Sequence, residues 1–113
     1  MVYIKNVEQE QIITLKEQVT VQKGQVVSKT LAQNNAVSIT VFAFDKHEEI
    51  STHESKGDAM VTILEGTGKF IVDGKEYTLS EGETLIMPAN KPHSVYGIEP
   101  FKMMLVVVFP REE

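Results

Sequence analysis

The sequence predicts an all-β, antiparallel domain of the jelly-roll kind. Short runs rich in Val, Ile, Thr and Phe recur roughly every 8–12 residues, the spacing of a sandwich or barrel. Between them stand residues that bend the chain: Asn34-Asn35, Lys56-Gly57, Asp73-Gly74, Glu81-Gly82 and the stretch from Pro88 through Pro92. Strands of this type, apolar on one face, must close their sheet or pack it on another to protect its edges, and a jelly roll does so in about this length.

Taken in chain order, residues 7–18 contain QEQIITLKEQ, which fits either one helical turn or a strand and is read as loop or short helix. QVVSKTLAQ and AVSITVFAF follow as two strands about Asn34-Asn35. The stretch HEEISTHESKGDAMVTILEG, residues 47–66, sets two of the three histidines beside acids and then enters the strand DAMVTILEG. FIVDGKEY is the clearest hairpin, because Asp-Gly suits the two-residue type I′ turn. ETLIMP is the next strand and FKMMLVVVF the last. LVVVF is apolar on both faces, so one face meets the core and the other is covered by a second sheet or subunit. A homodimer explains that cover, and the N-terminal segment of the same chain is the alternative.

A chain of 113 residues suits one domain. It divides into an N-terminal segment, 1–23, available to a dimer interface, and a barrel, 24–113. The net charge of −5, with cations scattered among acids, argues against nucleic acid and against an electrostatic membrane contact. The longest apolar run, MMLVVVF, is too short to span a bilayer, and no secretory pattern opens the chain, so a cytoplasmic location is expected. There are no cysteines, which leaves His, Asp and Glu to carry any metal or acid/base chemistry.

Residues 24–110 resemble a small single-domain cupin. The family's first motif, G-x5-H-x-H-x3,4-E-x6-G, falls here on His47, His53, Ser55, Ala59 and Gly66. Its second, G-x5-P-x-G-x2-H-x3-N, falls on Gly82, Pro88, Asn90, His93 and Gly97. The spacing survives, but Ser55 and Ala59 stand where a His and a Glu ligand belong. The resemblance implies a double-stranded β-helix whose interior is the ligand or active site, and commonly a dimer. It supplies no reaction, because the fold hosts isomerases, dioxygenases, sugar-binding regulators and storage proteins alike.

Alternation along a strand puts His53 and Ser55 toward the interior and Glu54 outward. Ser55 is a poor ligand and Ala59 none. Asp58 is a metal candidate only if a bulge at Lys56-Gly57 turns it inward; His47 reads as an exposed loop histidine. On the family resemblance, Val61 and Ile63 line the cavity with Ala59, and the smaller Ser55 and Ala59 enlarge it. His53 and His93 read as a residual metal pair, as polar contacts for an organic ligand, or as core histidines satisfied by hydrogen bonds. Facing each other, they should titrate as a coupled pair with lowered pKa values. Met60, Met87, Met103 and Met104 suggest Cu(I) but read more simply as core filler.

The leading expectation is a small-molecule-binding cupin with His53, Ser55 and His93 as polar contacts and metal weak or absent. Beside it stands a metal-dependent enzyme of isomerase or oxygenase type, with zinc or nickel preferred over iron on His53 and His93. A structural or interaction module is the third reading.

Overall fold

The computed structural model describes residues 2–111. Nine antiparallel strands follow one 3-10 turn, Leu15–Glu17. They are β1 Val26–Gln33, β2 Val37–Phe44, β3 Glu49–His53, β4 Asp58–Glu65, β5 Thr67–Val72, β6 Lys75–Ser80, β7 Thr84–Met87, β8 His93–Gly97 and β9 Phe101–Val108. Two sheets result, one in the order β1-β2-β9-β4-β7 and the other β3-β8-β5-β6. The chain belongs to the double-stranded β-helix class that the sequence predicts, and all seven expected runs are strands. Two further strands, β3 and β8, are polar enough to escape a hydrophobicity pattern, and they carry the histidines.

The turns form for the reasons their residues give. Asp73 and Gly74 both take positive φ, 50° and 81°, as a type I′ turn requires. Asn34 Oδ1 accepts the N–H groups of Ala36 and Val37, which closes the β1–β2 connection. The Asp45 carboxylate accepts the N–H groups of Gly24 and Lys46, joining the end of β2 to the approach to β1. Those bonds hold its carboxyl below the usual carboxylate range.

The inward faces of the two sheets pack on each other. Phe44, Ala59, Val61, Ile63, Met87, Phe101 and Met103 from the larger sheet meet Phe70, Val72, Leu79 and Val95 from the smaller. Phe44 stacks on Phe101 at 4.6 Å between ring centroids, and Phe70 meets Phe101 edge-on at 6.3 Å.

A second apolar cluster lies on the outer face of the larger sheet. Val7, Leu15, Val19 and Val21 of the N-terminal segment cover Leu31, Val41, Ala43, Leu64 and Met104. Lys102 Nζ donates to the Lys16 carbonyl at 2.7 Å and fixes the segment there. The question raised by LVVVF thus has a divided answer. Leu105 and Val107 face the core, and the N-terminal segment covers the Met104 end of the outer face. Toward the Val108 end, Met60, Ile86 and Val108 are exposed.

Candidate binding site at the barrel mouth

His53 and His93 are directly opposite each other on the antiparallel pair β3 and β8, and directly opposed side chains share a face. That face is the interior one, since His93 alternates with buried Val95 and Gly97. His53 reaches it through a bulge. Ile50 pairs with Val95 and His53 with His93, so three steps on β3 match two on β8. In a regular strand His53, three residues after Ile50, would face away from the core on which Ile50 packs, and the bulge reverses that. From the sequence a bulge is considered only at Lys56-Gly57, as the condition for an inward Asp58, and none is expected before His53.

The two Nε2 atoms lie 3.0 Å apart. His53 Nδ1 lies 2.9 Å from the Ser51 carbonyl oxygen, and His93 Nδ1 lies 3.2 Å from that of Lys91. A carbonyl oxygen only accepts, so each Nδ1 carries the proton and donates it. In neutral rings both Nε2 atoms then present lone pairs to the same point. They cannot satisfy each other; a proton, a hydrogen-bond donor or a cation between them can.

His93 is 4% exposed, whereas His53 opens to solvent. Burial is the main force that pushes the His93 pKa down, and the neighbouring His53 charge adds to it. The bond to Lys91 and the Glu54 carboxylate act in the opposite direction. Glu54, which the alternation argument sends outward, therefore bears on the site through its charge.

The remaining candidates separate from the pair. Ser55 lies two residues beyond the end of β3, so strand alternation does not aim it. Its hydroxyl accepts the Gly57 N–H, and its carbonyl accepts the Asn90 N–H at 2.8 Å, tying the 54–57 loop to the 88–92 loop. Asp58 is exposed at the start of β4, and its Oδ1 accepts the Ala89 N–H at 2.8 Å. It caps that second loop, and no bulge turns it toward the histidines. Among the described residues, no group of three or more His, Asp or Glu side chains is arranged to hold a metal ion.

Ala59, Val61 and Ile63 do face the interior, but at 0–1% exposure no water-sized space touches them. The room left by the small Ala59 is filled by the surrounding core, which forms a floor rather than an open chamber. His47 is exposed at a positive φ of 72°, and its Nδ1 lies 2.6 Å from Tyr96 Oη, away from the pair. The methionines divide: Met87 and Met103 lie inside, Met60 and Met104 on the outer face. Among the aromatic residues, Phe70 and Phe101 are core, and Phe42 and Tyr77 are half-buried against it.

One further residue belongs to the mouth. Val72 pairs with His93 on one side and with Lys75 on the other, so His53, His93, Val72 and Lys75 form one row on the interior face of the smaller sheet. The Lys75 Nζ sits 5.3 Å from the centroid of the Tyr77 ring. A signal for it exists in the sequence. A two-residue Asp-Gly turn makes the flanking residues direct partners, so an inward Val72 implies an inward Lys75.

Comparison with known families decides the relationship: the cupin domain model matches residues 40–109. The chain is a member of the cupin family. A conserved protein of unknown function from Streptococcus pyogenes is 45% identical, with a TM-score of 0.96 over 99% of this chain and 98% of that one. A cupin superfamily protein from Desulfitobacterium hafniense is 32% identical, with a TM-score of 0.90 over 95% and 98%. A cupin 2 conserved barrel domain protein from Leptotrichia buccalis is 42% identical, with a TM-score of 0.83, and there the match covers 85% of this chain and 47% of that one. No match is found among curated proteins. Within this cupin, no helix among the described residues is long and apolar enough to cross a membrane.

Proposed function

We propose that this cupin binds a small organic ligand at the mouth of its barrel, through Nε2 of His53 and His93. The observation that carries the reading is the convergence of two lone pairs 3.0 Å apart, each ring locked by its own Nδ1 bond. A ligand hydroxyl or amine placed there supplies the missing donor. The sealed core below keeps the ligand at the mouth, and open His53 gives access.

The same convergence favours a second reading, a divalent ion between the rings. Imidazole nitrogens bind zinc at about 2.0–2.1 Å, so two of them 3.0 Å apart can reach one ion, and the donors fit zinc, nickel or iron. With only two protein ligands, water or substrate must complete the shell. Such an ion supplies Lewis acidity to a bound oxygen atom. The chain's own part is to aim the two lone pairs and to exclude water beneath them.

Untagged protein, analysed by native mass spectrometry and for metal content beside a His53→Ala, His93→Ala variant, tests both. A retained organic molecule lost in the variant supports the first reading. Stoichiometric metal lost in the variant replaces it with the second. If both proteins are empty, and neither divalent ions nor a panel of small polar molecules raises the melting temperature, the barrel is a structural module.

A further inference from the structure

We infer that Lys75 is the charge seat of the ligand site, so that the ligand is a small organic acid with a hydrogen-bond donor at its opposite end. The inference rests on the proposed binding at His53 and His93, and it adds the chemical class of what is bound.

Three observations support it. Lys75 shares the mouth row with both histidines: strand pairing sets His53 against His93, His93 against Val72, and Val72 against Lys75. At about 4.8 Å per strand, the Lys75 backbone stands roughly 10 Å from that of His93, a span a short ligand and a lysine side chain fill together. The ammonium is also held on the inward side, over Tyr77, whose ring packs against the core. Finally, the two ends of the row have opposite character. The histidine end offers two lone pairs with the Glu54 carboxylate acting on it, which repels an anion and attracts a donor. The Lys75 end offers a cation. A molecule that fits the row points a hydroxyl or ammonium group at the histidines and its carboxylate at Lys75.

Lys91, on the 88–92 loop, does not supply that charge. Lys91 lies 3.8 Å from Asp73 and its carbonyl holds His93, so its own charge is paired. Val72 between the two ends is apolar and suits the carbon chain of such a ligand.

The test is a titration followed through the histidine ring signals by NMR, with three probes: γ-hydroxybutyrate, its amide, and butyrate. For the wild-type chain the hydroxy acid is expected to bind at least about tenfold more tightly than either comparison, the size of one charge-assisted contact. In Lys75→Met its advantage over the amide disappears, and Lys75→Arg restores part of it. Lys75 is exposed after a tight turn, so both variants should fold, and the amide affinity in each serves as the control. Equal affinity for acid and amide, an acid that does not bind, or an unchanged preference in Lys75→Met overturns the inference. Neutral polyols that still shift both histidine signals would leave binding at the pair standing without the acid. If no probe, polyol or divalent ion shifts them, the underlying reading fails as well.

Discussion

His53 and His93 meet Nε2 to Nε2 at 3.0 Å while their Nδ1 atoms are both spent on backbone carbonyls, of Ser51 and Lys91. Two neutral rings held in this way do not complete each other's hydrogen bonding. Under the proposed function, a species bound between them has to bring a positive or electron-poor centre. That requirement comes from main-chain geometry, since the carbonyls fix the tautomers.

One consequence is a pH dependence of folding in the ligand-free and metal-free protein. The folded pKa of His93 lies below its ordinary 6.5, chiefly through burial, so the unfolded chain binds the proton more readily. Stability is complete above 6.5 and falls as pH drops from 6.5 through the folded pKa. Urea denaturation across this range is expected to show the decline, and His93→Asn to flatten it. Asp45 acts further toward acid: its depressed carboxyl contributes stability above its ordinary 3.8 that is lost as pH falls through the folded value.

The bulge in β3 lets His53, three residues after inward-packing Ile50, still face inward. Deleting Thr52 leaves two steps from Ile50 to His53 against two on β8, so the strand should pair without a bulge and the ring should keep its inward face. Ligand or metal affinity should stay within about tenfold of the wild type. Circular dichroism should remain that of an all-β protein. A deletion whose affinity falls to that of His53→Ala would show that residue parity along β3 does not aim the ring.

Gly57 is expected to tolerate no side chain. A Cβ there would lie 2.3 Å from the Val108 carbonyl oxygen, and the backbone must move to make room. Gly57→Ala should cost about 1–3 kcal/mol, read as a melting temperature lowered by roughly 4–8 °C for each kcal/mol. Because the shift passes into the loop that follows His53, affinity should fall with it.

Much of this was legible in the sequence, for identifiable reasons. FIVDGKEY showed its hairpin because Asp and Gly both accept the positive φ that a type I′ turn requires, and DAMVTILEG showed its strand because Ala59, Val61 and Ile63 alternate onto a buried face. The motif spacing brought His53 and His93 together across 40 residues. What stayed hidden depended on single-residue register. The β3 bulge leaves no mark in EISTH, and Ser55 departs from alternation because the strand ends first. Asp58 found a cap to make at Ala89, a partner distant in sequence. The filled interior was illegible because a small residue such as Ala59 leaves room only if its neighbours do not move in.

The uncovered half of the larger sheet predicts self-association. Val106, Met60 and Ile86 are successive partners across β9, β4 and β7, a row without charge on a chain of net charge −5. An uncharged row can meet its own copy about a two-fold axis without repulsion. Sedimentation equilibrium is expected to give a dimer at micromolar concentration and a folded monomer for Ile86→Lys. A wild-type monomer, or a dimer unaffected by the lysine, would place the outer face in solvent.

The central claim, one shared acceptor site between two rings, is tested most directly by nitrogen-15 NMR of the histidine side chains during a zinc titration. Before zinc, both rings should show protonated Nδ1 and unprotonated Nε2 near neutral pH. On addition, the Nε2 signals of His53 and His93 should shift together at one ion per chain, and neither should shift in the alanine variant of the other. Rings protonated at Nε2 before zinc is added, or signals that respond independently of each other, would contradict the account.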